Sequence, residues 1–409
     1  MISEGPSLLY LADYVNGYGF TGVELEGSSS PVIRIQQLLN NDAELDYTDL
    51  AIPKVAIDSG DLIFSWSATL ATRIWTRGPA LLNQHLFRVD PMPGVDVRWL
   101  KYVLDVACDY LEGHMHGSAM THVTRDMLRS VRVTTPTLDG QRAIADYLDT
   151  ETARIDALIN KKRRMIELLD ERFLSGVFAG VCGALTSPTT PTVDSGIEWV
   201  GEIPQHYGTP WLGAFHQTQL GKMLNSEAAA GPEQYPYVKN TNVQWDHLDL
   251  HDLPIMSFDA SDRERCSLRA GDVLVCEGGE VGRAAVWKDD GTNVFFQKAL
   301  HRVRSLQKEP QPRYLMYCLW AAASQDCFVV EGNQSTIVHL TGEKLREHRF
   351  PWPDVDEQKQ IVGLLDTMRS RTARATDVLT KQLDLLAERR QALITAAVTG
   401  ELEIPRVAA

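Results

Sequence analysis

Pro136-Thr137-Leu138-Asp139-Gly140-Gln141-Arg142-Ala143-Ile144-Ala145-Asp146-Tyr147-Leu148-Asp149-Thr150 returns as Pro353-Asp354-Val355-Asp356-Glu357-Gln358-Lys359-Gln360-Ile361-Val362-Gly363-Leu364-Leu365-Asp366-Thr367. The offset is 217 positions throughout, and six of the twelve positions from Asp139 to Thr150 are identical. Without a gap, Leu168-Leu169 and Glu171-Arg172 then meet Leu385-Leu386 and Glu388-Arg389. So long a period excludes a solenoid, whose units run to roughly 20–50 residues. It marks a duplicated domain-plus-helix unit, and with it two related surfaces held at a fixed distance.

Apolar residues in the first copy fall at Ile144, Leu148, Ile155, Ile159, Ile166, Leu169, Phe173 and Val177. The second has Ile361, Leu365, Met368, Leu379, Leu383, Leu386, Ile394 and Val398. Steps of three, four and seven put one apolar stripe on each helix. Asp139 and Asp356 are expected as N-caps, Gly180 and Gly400 as stops. About 40 residues at 1.5 Å give rods of roughly 60 Å. Burying both stripes calls for the rods to pair; paired antiparallel, they carry the globular segments to opposite ends about a pseudo-two-fold axis. The charged faces, including Lys161-Lys162-Arg163-Arg164 and Arg389-Arg390, read equally as solvated surface or as contacts to DNA backbone or a partner.

The register extends upstream with small drifts that place insertions in loops. His122-Val123-Thr124 matches His339-Leu340-Thr341 at 217, Trp99-Leu100 answers Tyr314-Leu315 at 215, Gln84 answers Gln297 at 213, and Gly60-Asp61 answers Gly271-Asp272 at 211. Each Gly-Asp pair precedes a short apolar run, Leu62-Ile63-Phe64 or Val273-Leu274-Val275, which reads as a buried strand after a turn. The match weakens here, as expected of segments that share a backbone but not a surface.

At 409 residues, with 44% hydrophobic and 23% charged residues, the chain has room for two or three soluble domains. It has no apolar run of about 18 residues and no secretory start at Met1-Ile2-Ser3-Glu4, which points to the cytoplasm. Six scattered cysteines without a Cys-x-x-Cys indicate free thiols rather than disulfides or zinc. A net charge of −14 counts against a protein that coats nucleic acid by itself, since that affinity comes from lysine and arginine on phosphates. It leaves open a local basic face, or partners that supply the phosphate contacts.

Between the halves, Thr186-Ser187-Pro188-Thr189-Thr190-Pro191-Thr192 is an aperiodic linker. Ser195-Gly196-Ile197-Glu198-Trp199-Val200-Gly201-Glu202-Ile203-Pro204-Gln205-His206 follows it. That segment, the doubled Asp-x-Gln-[Arg/Lys] start and the closing Glu388-Arg389-Arg390-Gln391-Ala392-Leu393-Ile394-x-x-Ala397-Val398-Thr399-Gly400 resemble the DNA-specificity subunits of type I restriction-modification systems. The resemblance covers nearly the whole chain. It implies an α+β fold: two globular target-recognition domains joined by two long helices that form an antiparallel coiled coil. The first domain would span 1–137 and the first conserved helical region 138–182. A linker and lead-in (183–207), the second domain (208–354) and the second helical region (355–409) would follow.

By the same resemblance the chain is no enzyme. Its partners are double-stranded DNA, two methylation subunits and, in the full complex, restriction/translocase subunits; each domain reads one half of an asymmetric bipartite target. The chain holds no cofactor, S-adenosylmethionine, ATP and magnesium belonging to the partners. The residues agree. The chain lacks an Asn/Asp-Pro-Pro-aromatic loop, and Gly221-Lys222 is followed by Met223 rather than the Ser or Thr of a phosphate loop. Pro353-Asp354 with Glu357-x-Lys359 lies at a helix start, where acids suit the dipole, and reads as a cap.

Major-groove reading uses arginine or lysine on guanine and asparagine or glutamine on adenine. By that chemistry the DNA-contact candidates of the first domain are Arg34, Gln36, Gln37, Ser65, Trp66, Arg73, His85, His114 and His116. Those of the second are Lys239, Asn240, Asn242, Glu277, Arg283, Lys298, Asn333 and Gln334. Taken singly, each reads better as ordinary surface polarity. Gln84 and Gln297, in matching places, read as a shared structural hydrogen bond. The alternative to DNA reading is a coiled-coil scaffold that pairs two protein-binding domains.

Overall fold

The computed structural model describes residues 5–114, 122–291, 293–328 and 340–404. The chain divides into two compact units, Met1–Arg163 with Thr380–Ala409, and Arg164–Leu379.

The first unit contains strands β1 (Ala12–Asn16), β2 (Ser30–Ile33), β3 (Asp46–Thr48), β4 (Ala56–Ile57), β5 (Leu62–Ser65), β6 (Ala71–Ile74), β7 (Ala80–Leu82) and β8 (Leu86–Pro91). Its helices are α1 (Ile35–Leu39), α2 (Val97–His114), α3 (Arg125–Ser130) and the start of α4 (Leu138–Val181). One sheet has the order β1-β8-β5-β6, all antiparallel; the other, β3-β2-β7-β4, has a parallel β2–β7 pair. The Leu62-Ile63-Phe64 run lies in β5, buried on both faces because successive side chains alternate. Leu62 and Phe64 join the core of α2 and α4, around Trp99, Leu100, Val103 and Leu148. Ile63 joins a second core with Ile33, Trp75 and Leu82.

The second unit repeats this plan. Its strands are β9 (Thr192–Asp194), β10 (Glu202–Pro204), β11 (His216–Leu220), β12 (Gln234–Val238), β13 (Val243–Gln244), β14 (His247–Leu248), β15 (Ile255–Ser257), β16 (Val273–Cys276), β17 (Ala284–Val286), β18 (Phe295–Phe296) and β19 (Leu300–Ser305). Its helices are α5 (Leu212–Phe215), α6 (Ser226–Ala230), α7 (Ala260–Arg265), α8 (Pro312–Ser324), α9 (Gly342–Glu347) and most of α10 (Val355–Thr399). The sheet β11-β19-β16-β17 reproduces β1-β8-β5-β6, and the parallel β12–β18 pair reproduces β2–β7. In β16, Val273 and Val275 face the core of α8 and the long helices, while Leu274 and Cys276 face the other core.

The doubled residues do the same work twice. Gly60 (φ +103°) and Gly271 (φ +91°) donate to the carbonyls of Trp75 (2.8 Å) and Trp287 (2.9 Å), both tryptophans buried. Asp61 and Asp272 cap these turns, accepting from the Asp58 and Arg269 N–H groups at 2.8 Å. Left-handed backbone explains the glycines. Gln141 and Gln358, each 1% exposed, donate to the Pro136 (3.0 Å) and Pro353 (2.9 Å) carbonyls and so pin the proline loops to the long helices. Gln141 also bridges to the start of α2, through the Gly94 carbonyl (3.1 Å) and the Asp96 N–H (2.8 Å). Thr124 and Thr341 cap α3 and α9.

Three expectations need correction. The N-caps are Thr137, whose hydroxyl accepts from the Gly140 N–H at 3.3 Å, and Asp354, which accepts from the Glu357 N–H at 2.9 Å; Asp139 and Asp356 lie inside the first turn, where they face the dipole instead. Gly180 does not stop α4 but lies within it against Leu365, and Gly183 (φ +83°) makes the exit, with the Ala184 N–H returning to the Ala179 carbonyl at 2.8 Å. The partner of Gln297 is Asn83, not Gln84. Asn83 donates to Ile33 O (3.0 Å) and accepts from Leu86 N (3.0 Å); Gln297 donates to Val238 O (2.9 Å) and accepts from Leu300 N (3.1 Å). The recurring bonds are backbone bonds, which any side chain allows.

In each unit taken by itself, the long helices pair antiparallel. In the first, Ala145 and Leu148 share a core with Ile394, Ala397 and Val398; further along α4, Asp156 meets Arg390 (3.0 Å) and Lys162 meets Gln382 (2.6 Å). In the second, Phe173 lies under the Arg369 guanidinium (5.8 Å), while Gly180 lies against Leu365 and Ile361. No described helix is long and apolar enough to cross a membrane.

Candidate nucleic-acid interface

Two backbone junctions recur in both units and gather most of the residues whose chemistry suits base reading. The first lies at the end of β5 and of β16. Trp66 donates its N–H to the His85 carbonyl (3.3 Å) and accepts from the Val123 N–H (2.7 Å). Glu277 donates to the Ala299 carbonyl (2.9 Å) and accepts from the Leu340 N–H (2.8 Å). One scaffold thus holds two different surfaces. In the first unit the Trp66 indole stacks on Phe87 at 5.6 Å, with the His85 and His122 rings at 6.1 and 6.2 Å. Its Nε1 donates to the Gln84 carbonyl (3.1 Å), and exposed His85 places Nδ1 2.9 Å from the Ser67 hydroxyl. In the second unit, half-buried Glu277 and exposed Lys298 take these places, Lys298 standing where Gln84 does.

The second junction is the turn after β2 and β12. The Arg34 N–H donates to Gln37 Oε1 (3.0 Å), and the Lys239 N–H donates to Asn242 Oδ1 (3.1 Å). These amides are buried, 3% and 8% exposed, and spent on the turn. The outward positions hold Arg34 and Gln36 in one unit, Lys239 and Thr241 in the other. Arg34 pairs with Asp46 (3.1 Å), and Arg73 of β6 bonds the Asn41 side chain. Asn240 lends its carbonyl to Arg283 (3.1 Å), which also pairs with Glu280 (3.0 Å).

Among the described residues no three His, Cys, Asp or Glu side chains form a metal-ligating group. Burial pushes the Cys276 thiol up to about 11 and Cys182 up to about 12. His216 is drawn down to about 4 by burial, against the Leu212 carbonyl, and so stays neutral.

The type I restriction modification DNA specificity domain matches the chain twice, over residues 13–168 and 212–383. The chain belongs to this family. Among relatives of the specificity family, it is 22% identical over 403 residues to the type I restriction enzyme EcoBI specificity subunit of Escherichia coli, covering 96% of this chain and 84% of that one. It is 24% identical over 284 residues to the EcoKI specificity subunit of Escherichia coli strain K12, covering 66% and 58%. In fold it is similar to a chain solved for the structural basis of complex assembly and conformational transition of the type I R-M system. The TM-score is 0.66 at 17% identity, over 98% of this chain and 100% of that one. The HsdS subunit of Thermoanaerobacter tengcongensis gives 0.50 at 16%, over 98% of each.

Within this specificity fold the candidates separate. Ser65 is a correction: it is fully buried, its hydroxyl bonding the Ser67 carbonyl at 3.3 Å, because the last residue of β5 still faces the core. Gln37 and Asn242 are corrections too, being buried turn caps. Trp66, His85, Arg34, Gln36 and Arg73 remain accessible in the first unit, and Glu277, Lys298, Lys239, Asn240 and part of Arg283 in the second. His116, Asn333 and Gln334, with the side chain of His114, lie outside the described residues. Exposed Thr241 takes in the second unit the place that Gln36 has in the first, an equivalence visible only once β2 and β12 are aligned in register.

Sequence reasoning missed the residues that mount each domain on its helices. Arg98 Nη1 meets Asp146 and Asp149 at 2.8 Å each, and Tyr102 donates to Asp149 at 2.7 Å. Equivalently, Arg313 Nε meets the Asp366 oxygens at 3.0 and 3.1 Å, and Tyr317 donates to Asp366 at 2.6 Å. The signal was present: Asp149 and Asp366 belong to the repeated Leu-Asp-Thr.

Proposed function

We propose that this chain is the non-catalytic subunit that gives a type I restriction-modification complex its target sequence. Each domain reads one half of an asymmetric bipartite site, and the paired helices set the unspecified spacer and dock two methylation subunits, joined in the full complex by restriction/translocase subunits. S-adenosylmethionine, ATP and magnesium act on those partners. The observation that carries the reading is one scaffold with two surfaces: Trp66 and His85 against Glu277 and Ala299, Gln36 against Thr241, Gln84 against Lys298. A duplicated protein that read one sequence twice would have no reason to diverge at these exposed junctions while keeping Gln141 and Gln358 or Asp149 and Asp366.

The DNA contacts would come from Arg34, Gln36, Trp66, Arg73 and His85, and from Lys239, Asn240, Glu277, Arg283 and Lys298, with Thr241 added. Side-chain type at the turn argues for a division of labour. Arg34 and Lys239 are both cations, as suits a phosphate that every sequence presents, whereas Gln36 and Thr241 differ, as suits a base. Selection from randomised duplexes by the reconstituted methylation complex tests the function: two short motifs at fixed separation are expected. Indifference to sequence would leave only a scaffold that pairs proteins.

A further inference from the structure

The two domains are seated on the long helices in two different ways at once. One is apolar: α2 buries Trp99, Leu100 and Val103 against Leu148, and α8 buries Tyr314, Leu315 and Cys318 against Ile361 and Leu365. Apolar contact holds surfaces together but has little directional preference, so it tolerates small rolls and slides. The other is the carboxylate clamp described above, and charge-assisted hydrogen bonds of this kind are directional. The clamp engages adjacent turns of the domain helix, since Arg98 and Tyr102, like Arg313 and Tyr317, are four residues apart and share one face. A single carboxylate therefore fixes both the position of the domain helix and its rotation.

We infer that Asp149 and Asp366 are positioning residues for target reading: they fix the pitch of each recognition domain on its helix and so set how strictly the protein enforces the length of the spacer. This rests on the bipartite reading proposed above. One added base pair moves a half-site by about 3.4 Å and turns it by roughly 35° about the duplex. A domain clamped in one orientation cannot follow that turn; a domain held by apolar contact alone follows part of it.

The clamps are unequal. Asp246 accepts from Arg313 (2.7 and 3.1 Å) and pairs with Arg369 (2.9 Å), tying the β13–β14 turn to α8 and α10. Next to it, Trp245 stacks on Trp320 at 4.8 Å, and the Arg369 guanidinium lies over Trp320 at 4.8 Å. Among the described residues the Arg98 carboxylate partners are Asp96, Asp146 and Asp149, none of them from the sheets. Each clamp therefore keeps a different fallback when the repeated carboxylate is lost: Asp146 of α4 for Arg98, and Asp246 for Arg313.

The test uses the reconstituted methylation complex and duplexes carrying the selected target with its own spacer or with one base pair more or less. The readout is the ratio of methylation rates between spacers, which a general loss of stability does not move. Asp149→Asn is expected to lower that ratio about tenfold, the scale of one lost charged hydrogen bond. Asp366→Asn should lower it to a similar degree, and removing the fallback as well, in Asp149→Asn with Asp146→Asn or Asp366→Asn with Asp246→Asn, should lower it further. Unchanged spacer discrimination in both double variants, each assembled, overturns the inference. Where an Asn variant fails to assemble, Tyr102→Phe or Tyr317→Phe removes only one hydroxyl, with its bonds to Asp149 and Thr152 or to Asp366 and Arg313; a smaller fall in the ratio supports the inference and no change overturns it. Lack of any two-part preference in the unaltered complex is a different result, and it removes the proposed function itself.

Discussion

Glu357 shows how one side chain can fasten a linker. Burial works against its charge, but hydrogen bonds from Thr186 (2.7 Å), His206 (2.8 Å), Ser187 (2.8 Å) and Tyr207 (3.0 Å) outweigh it and bring the carboxyl down to about 2. A group whose folded pKa lies below its ordinary 4.5 stabilises fully above that value and loses its contribution as the pH falls toward 2. Glu357→Gln should thus be less stable than the parent at pH 7, with the difference closing between about pH 4.5 and pH 2 in urea melts. The repeated glutamines give a second prediction. Gln141→Ala breaks bonds to Gly94, Asp96 and Pro136 and should cost about 2–3 kcal/mol, whereas Gln358→Ala should cost about 1 kcal/mol, as read from denaturant midpoints. The sequence disclosed that these glutamines recur but not what they bond. Glu357 looked like one more acid in a first turn, because the groups that converge on it lie 150 to 171 positions away.

At the scale of elements, the strands and rods were legible and their ends were not. Periodicity shows a buried run such as Leu62-Ile63-Phe64 or an amphipathic stripe over many turns, and both are set by local chemistry. Ends are decided by single caps, and Thr137, Asp354 and Gly183 each sit within a few residues of the position first expected. The slip of Gln84 against Asn83 has the same origin: the junctions are held by backbone bonds, which leave no mark on residue type. Gly183 is the most exposed to test. Its φ of +83° and the 2.5 Å from an added Cβ to Pro204 Cγ mean that Gly183→Ala strains the backbone and collides with the lead-in. A loss of about 2 kcal/mol is expected, with faster hydrogen exchange over residues 183–207. Asp354→Ala should cost about 1 kcal/mol by removal of the cap.

For the whole molecule, duplication with divergence is the governing fact. The family was recoverable from the sequence because its marks lie in the shared framework: the Asp-x-Gln-[Arg/Lys] starts, the Ser195–His206 segment and the closing helix. The exposed side chains were not, because their position depends on which residues the sheets and turns point outward, and Ser65, Gln37 and Asn242 are turned inward. A net charge of −14 predicts that the isolated chain binds random duplex weakly, with a shallow dependence on salt compared with the assembled complex. The most direct test of two independently reading domains is to map methylated sites at base resolution after residues 5–137 are exchanged for those of a relative with a known target. One half of the bipartite motif is expected to change while the other half stays as it was; a change in both halves, or in neither, would contradict the account.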